Sequence, residues 1–376
     1  MPLSSFYQGR GRPEPKMADA LPTVNPQALR RPDDYRATPR LAAAVDVALT
    51  LGMPLLLTGE PGSGKSGLAD SLAWELGLGE VLRFPVKSDT ESRDLFYRFD
   101  TVGRFHAAQT AKDDAATDPA RFITFEALGR AILEALSPEE RRPLGLPEHA
   151  LDPHGAARRS VVLIDEIDKA PRDVPNDILV EIEQMQFDIP ELIRDEGRPV
   201  RIALAERHNR YRPIVVFTSN SEKALPDPFL RRCVYHNLSF PPFRAELPGN
   251  DLVAADQVTV ESIVAARLGA RFQGQDEISE RVRAALGLFR YLRSEASGLE
   301  RRPPLAELLD WLDHLMPQWC PPSQWTALAA LSRGDDPDAQ LRLETAVATL
   351  LLKKQPDQAR AAQLLADWRA QANRRT

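Results

Sequence analysis

The chain has 376 residues, enough for two or three units that each bury a core. Hydrophobic residues make up 43% and charged residues 27%, which excludes a wholly disordered or fibrous chain. Lys and Arg number 48 against 54 Asp and Glu, a balance of −6; this argues against a dedicated nucleic-acid coat, which needs a basic excess, but leaves room for a local basic groove.

Seven prolines (Pro2, Pro13, Pro15, Pro22, Pro26, Pro32 and Pro39) fall in the first 40 residues, beside seven Lys/Arg and four Asp/Glu. They predict an extended, slightly basic arm. The opening MPLSSFYQGR lacks the apolar stretch of a secretory signal, and no apolar run approaches the roughly 18 residues of a membrane span. Cys233 and Cys320 stand in no Cys-x-x-Cys pattern, so neither a disulfide scaffold nor a zinc site is expected. The expected setting is soluble, reducing and cytoplasmic.

From about Arg40 the pattern changes. Leu41, Val45, Val47 and Ala48 predict a short amphipathic helix, and Met53 to Leu57 a buried strand with Pro54 at its start. Two further apolar runs, Val161–Ile164 and Ile214–Phe217, match it in type. Such runs are what a parallel sheet covered on both faces produces. Between them, Leu68, Leu72, Leu76 and Leu78 recur at helical spacing, as do Ile178, Ile182, Met185 and Ile189. Alternating strands and helices predict a three-layer α/β domain.

The first strand runs into Gly59-Glu-Pro-Gly-Ser-Gly-Lys65-Ser66, the pattern G-x-x-x-x-G-K-S/T, which then opens a helix. Glycines let successive N–H groups turn inward into an anion nest. Lys65 is placed to reach the β- and γ-phosphates of a nucleotide and Ser66 to ligate Mg²⁺, while the helix N-terminus adds its field. The second run leads into Asp165-Glu166, two acids at the carboxyl end of a buried strand, the edge where open α/β sheets bind ligands. Asp165 suits Mg²⁺, and Glu166 suits orienting and deprotonating an attacking water. Asp168 and Lys169 fit a turn beside the site, in local ion pairing. The third run ends in Thr218-Ser219-Asn220, whose amide can hold the same water. Arg231 and Arg232 follow eleven and twelve residues later, and an arginine is what the charge spreading over the γ-phosphoryl oxygens requires.

From about Ala245 no strand is predicted. Helical patterns cover Thr259–Leu268, Ile278–Ala296, Pro304–Met316 and Leu341–Leu352, with a last helix from Gln355. Trp311, Trp319, Trp325 and Trp368 lie here, at spacings that fit core packing better than base stacking. The six histidines show no ligand spacing.

Taken together these residues resemble the AAA+ ATPases, and among them the MoxR-like branch. Gly59–Ser66 corresponds to Walker A, VVLIDE at Val161–Glu166, followed by IDKAP, to Walker B, Asn220 in VVFTSN to sensor 1, and LPDPFLRRC at Leu225–Cys233 to the arginine-finger segment. The resemblance spans about Tyr35 to Leu315. It implies a P-loop NTPase with a three-layer αβα core and parallel sheet, followed by an all-α lid and a helical C-terminal extension. The boundaries it implies are an arm over 1–36, the nucleotide-binding domain over 37–243, the lid over 244–332 and the extension over 333–376.

The implied activity is hydrolysis of ATP with Mg²⁺. Nucleotide contacts are expected at Gly59, Glu60, Pro61, Gly62, Ser63, Gly64, Lys65, Ser66, Gly67 and Asp165, metal contacts at Ser66 and Asp165, and catalytic roles at Lys65, Glu166, Asn220 and Arg232. The family's finger pattern maps onto Arg232 rather than Arg231 and acts on ATP held by the neighbouring subunit, so the resemblance implies a ring, usually a hexamer. The lid arginine called sensor 2 usually lies in a Ser-Pro-Arg context; here Leu299-Glu-Arg-Arg302-Pro-Pro takes its place and Arg302 is assigned. The family carries a β-hairpin before sensor 1, which Pro199–Leu204 and the turn Arg207–Arg212 fit, and Phe96–Leu136 is long enough for the insertion of this branch. MoxR-like proteins act with a von Willebrand factor A-domain partner, which the resemblance therefore also implies. Two other classes stay open: a nucleotide-dependent assembly switch in a signalling or defence complex, and a DNA-acting ATPase. The turn with Arg207, His208, Arg210 and Arg212 speaks for the second, the −6 charge against it.

Overall fold

The computed structural model describes residues 31–110, 118–146, 155–194, 197–247, 257–269, 276–314 and 337–373. Residues 1–30 of the expected arm over 1–36 lie outside them, as do Cys320, Trp319 and Trp325. The chain divides into two units, one over Ala37–Ser239 and the other from Phe240 onward together with the residues before Ala37.

The first unit opens with α1 (Pro39–Leu51). Thr38 Oγ1 caps it by accepting the Leu41 amide at 3.2 Å, Pro39 occupies the first turn, and Gly52 ends it with φ 62°. Leu41, Val45 and Ala48 face the core while Val47 is 47% exposed. Then come β1 (Leu55–Gly59), α2 (Lys65–Glu75), β2 (Leu82–Pro85), β3 (Tyr97–Phe99), α3 (Thr101–Thr110), β4 (Ile123–Phe125), α4 (Ala127–Ala135), β5 (Val161–Asp165), β6 (Gln186–Arg194), β7 (Arg198–Ala203), β8 (Ile214–Ser219) and β9 (Val234–Leu238).

Five strands form one parallel sheet in the order β2-β5-β8-β1-β9. With its flanking helices it is the αβα core of a P-loop NTPase. The three central strands β1, β5 and β8 are buried almost end to end, whereas the edge strand β9 alternates. The register places Leu57 beside Thr218 and Ile164 beside Phe217, so the polar tips of β1, β5 and β8 end together. After β1 the chain passes to the far edge at β2; after β8 it crosses β1 to reach β9. The strand order therefore reverses at β1, and open α/β sheets bind ligands at the carboxyl end of such a switch point.

Two local expectations give way to the structure. The helical spacing Ile178–Ile182–Met185–Ile189 breaks early: the helix Leu179–Gln184 ends at Met185 with φ 48°, and Ile189 lies buried in β6. The hairpin before β8 is β6 paired antiparallel with β7, with a register irregularity between Ile189 and Ile193. The turn expected over Arg207–Arg212, leading to β8, is instead largely a 3-10 helix, Glu206–Tyr211.

The second unit holds α5 (Val260–Gly269), α6 (Asp276–Arg293), α7 (Leu305–His314), α8 (Pro337–Leu350) and α9 (Ala361–Asn373). Its core gathers Val264, Leu288, Phe289, Trp311, Val347 and Leu364, with Trp368 packed against it. Burial of these apolar side chains, each contributing about 1.5–3 kcal/mol, draws the helices together. The turn before α7 is pinned from the C-terminal side. Asp357 accepts the amides of Glu300 and Arg301 at 3.2 and 3.4 Å, and Arg360 donates to the carbonyls of Ser297 and Gly298 at 2.9 and 3.0 Å.

Candidate functional site

The loop between β1 and α2 takes backbone angles that need glycine: Gly59, Gly62 and Gly64 have φ of 143°, 73° and 95°. A Cβ on Gly59 would meet the Leu238 carbonyl oxygen at 2.4 Å, so the neighbouring edge strand forbids a side chain there. Lys65 opens α2 and is only 6% exposed. Its Nζ donates to the carbonyls of Gly59 and Glu60 at 2.8 and 3.0 Å, closing the loop over its own ends. Burial pushes the Lys65 ammonium below its ordinary pKa, while the carboxylates of Asp165, Asp168, Glu166 and Glu60 pull the other way.

Ser66, one residue into α2, donates to Asp165 Oδ1 at 2.9 Å, joining the loop to the tip of β5. Thr218, near the end of β8, donates to the same Asp165 oxygen and accepts the Glu166 amide at 2.9 Å. Glu166 has φ 61° and ψ 51°, a left-handed conformation that a non-glycine residue holds only when its surroundings impose it. Its Oε1 accepts the Asn220 amide at 2.9 Å, and its Oε2 is paired with Lys169. Thus Lys65 and Ser66 at the start of α2, Asp165 and Glu166 at the end of β5, and Asn220 just past β8 meet in one constellation at the carboxyl edge of the sheet.

The segments after β5 and β8 are tied at two more points. Glu222 N donates to buried Asp168 at 2.9 Å, and Lys223 Nζ donates to the carbonyls of Lys169 and Ala170 at 3.0 and 3.3 Å. Of the two residues expected in local ion pairing, Lys169 does pair locally, with Glu166, whereas Asp168 is a buried anchor for the Glu222 amide. Thr218 is the residue that sequence reasoning passed over: its one signal was the polar tip Thr-Ser-Asn on an apolar strand.

The two assigned arginines are both exposed. Arg232, at the end of the short helix Asp227–Arg231, is exposed and interacts with Glu183 at 3.3 Å and the Pro228 carbonyl at 3.5 Å, not with the loop. Arg302 is exposed in the second unit, whereas Arg301 makes two hydrogen bonds to Glu307 at 3.1 and 2.9 Å. The basic turn is mostly committed. Arg207 pairs with Glu140, Arg212 donates to the carbonyls of Gly52, Ile182 and Glu183, and Arg210 lies over the Tyr211 ring at 4.4 Å.

The donor set fits Mg²⁺ and a nucleotide. Ser66 Oγ and Asp165 Oδ1 are hard oxygen donors converging at a helix N-terminus, and Ser63 Oγ in the loop is buried with no hydrogen-bond partner among the described residues.

Residues 54–233 match the family model described as the AAA domain of the dynein-related subfamily. The matched segment contains the loop, both acids, Asn220 and Arg232, and the match supports a nucleotide-dependent AAA+ ATPase. No curated protein matches the chain. No helix among the described residues is long and apolar enough to cross a membrane.

Proposed function

We propose that the protein is an ATP-hydrolysing AAA+ ATPase of the MoxR-like kind, which assembles as a ring and remodels or activates a partner protein. One observation supports this most: hydrogen bonds bring Ser66, Asp165, Glu166 and Asn220 together beside the Gly59–Ser66 loop. In this reading the loop amides and Lys65 hold the nucleotide phosphates, with Gly59, Glu60, Pro61, Gly62, Ser63, Gly64 and Gly67 shaping the cradle. Ser66 and Asp165 hold Mg²⁺, which when bound neutralises charge on the phosphate oxygens. Glu166 orients a water and takes its proton, and Asn220 fixes the carboxylate that does so. Arg232 of one subunit meets the γ-phosphoryl group held by the next, and Arg302 contributes from the helical unit. The ring, hexameric by resemblance, and a von Willebrand factor A-domain partner belong to the same reading, as does a cytoplasmic setting. The internal commitments of Arg207 and Arg212 weigh against DNA as the partner.

Steady-state phosphate release tests the enzyme half. The wild type is expected to turn over ATP, and Glu166→Gln to lower kcat by about 10²–10⁴-fold while still binding nucleotide. Equal turnover in the variant removes Glu166 from the base role.

A further inference from the structure

We infer that Thr218 is a positioning residue that sets both acids of the site through one hydroxyl. The inference rests on the functional reading above. Thr218 is 1% exposed, lies on β8 two residues before Asn220, and sits within the VVFTSN string without a role assigned to it there. Its hydroxyl proton goes to Asp165 Oδ1 while its oxygen takes the Glu166 N–H at 2.9 Å. A hydroxyl has one donor and two acceptor lone pairs, so both bonds coexist without competition.

Each bond has a separate consequence. Asp165 Oδ1 also accepts Ser66 Oγ at 2.9 Å. Ser66 is itself assigned to the metal, so Thr218 is the donor that can keep orienting the Asp165 carboxylate when Ser66 turns to Mg²⁺. Such outer partners fix ligating carboxylates. The bond to Glu166 N acts on geometry. At φ 61° the Glu166 backbone is in the left-handed region, and that turn brings its side chain to the Asn220 amide and Lys169. An orphaned buried amide would remove one of the bonds that hold the turn. Threonine suits the task because its branched Cβ fits a central strand and stiffens χ1, which fixes the direction of the hydroxyl. Valine keeps that shape without either bond; serine keeps both bonds.

The test uses the full chain as wild type, Thr218→Val and Thr218→Ser, each checked for folding by thermal melting. Two quantities are measured: binding of a fluorescent ATP analogue titrated with Mg²⁺, and kcat and KM for phosphate release. For Thr218→Val, nucleotide affinity without Mg²⁺ stays within about two-fold of wild type. Its Mg²⁺ half-saturation rises about 10-fold or more, and kcat falls by about 10–100-fold with KM little changed. Thr218→Ser returns both to within about three-fold of wild type. A Thr218→Val protein with Mg²⁺ half-saturation and kcat within about two-fold of wild type overturns the inference, as does a Thr218→Ser protein equally impaired. If Thr218→Val does not fold, Thr218→Cys, close in size with a weak donor and acceptor, carries the same expectation and the same contradiction. A wild type that neither binds nor hydrolyses ATP overturns the functional reading and this inference with it; a normal Thr218→Val variant of an active protein overturns the inference alone.

Discussion

Gly59 carries two constraints at once, a φ of 143° and an edge-strand carbonyl 2.4 Å from where a Cβ would stand. Gly59→Ala must move either the loop or β9. The expected result is a loss of about 2 kcal/mol or more in chemical denaturation, with nucleotide binding weakened in parallel; an unchanged protein would show that the loop tolerates other backbone angles. At this scale spacing alone pointed to Lys65, Ser66, Asp165, Glu166 and Asn220, because each sits at a fixed distance from a strand end, and strand ends adjoin in a parallel sheet. Thr218 and Lys169 were not readable in the same way. A threonine in a strand reads as a β-former and a lysine three residues after a glutamate as a surface pair. What distinguishes them is the left-handed turn at Glu166, which no sequence pattern announces.

Among elements, the three central strands were legible because burial on both faces demands continuous apolar runs. The edge strands were not: β9 alternates Val234, Tyr235, His236, Asn237 and Leu238, and β2 is four residues long and ends in Pro85. The helix that was expected to run through Ile189 stops at Met185 because the chain reverses there into β6, a tertiary demand that overrides local periodicity.

A second elemental feature is the network joining α4 to the start of β5. Glu134, with its side chain 7% exposed, accepts bonds from Ser160 at 2.7 Å, from Arg130 at 2.9 Å, and from Arg158 at 3.1 and 2.9 Å. Burial alone would push its carboxyl pKa up, but the bonds from Arg158, Ser160 and Arg130 outweigh that and hold it below the ordinary value of 4.5. A folded-state value below the unfolded one means the stabilisation is complete above the ordinary carboxylate range and fades as pH falls through the folded value. Glu134→Gln should therefore cost about 1–3 kcal/mol at pH 7, and the gap from wild type should shrink toward pH 3 in denaturant titrations. A gap independent of pH would detach the carboxylate charge from the stability.

For the whole molecule, the αβα unit and the helical unit have separate cores, and sequence patterning placed the change from strand-bearing to helical segments at about Ala245. It left the roles of Arg232 and Arg302 to resemblance, since both are exposed and their work in this account depends on other parts of the assembly. Within one chain Arg232 interacts with Glu183, outside the constellation at Lys65. The central claim is that ATP is held by the loop and acids of one subunit and met by Arg232 of the next. Phosphate release from a mixture of Lys65→Ala and Arg232→Ala proteins tests it most directly, with co-assembly verified independently. Each variant alone is expected to be inactive, and the mixture to regain activity at interfaces that pair an intact loop with an intact Arg232. Verified mixed assemblies that release no more phosphate than either variant alone would contradict the shared site.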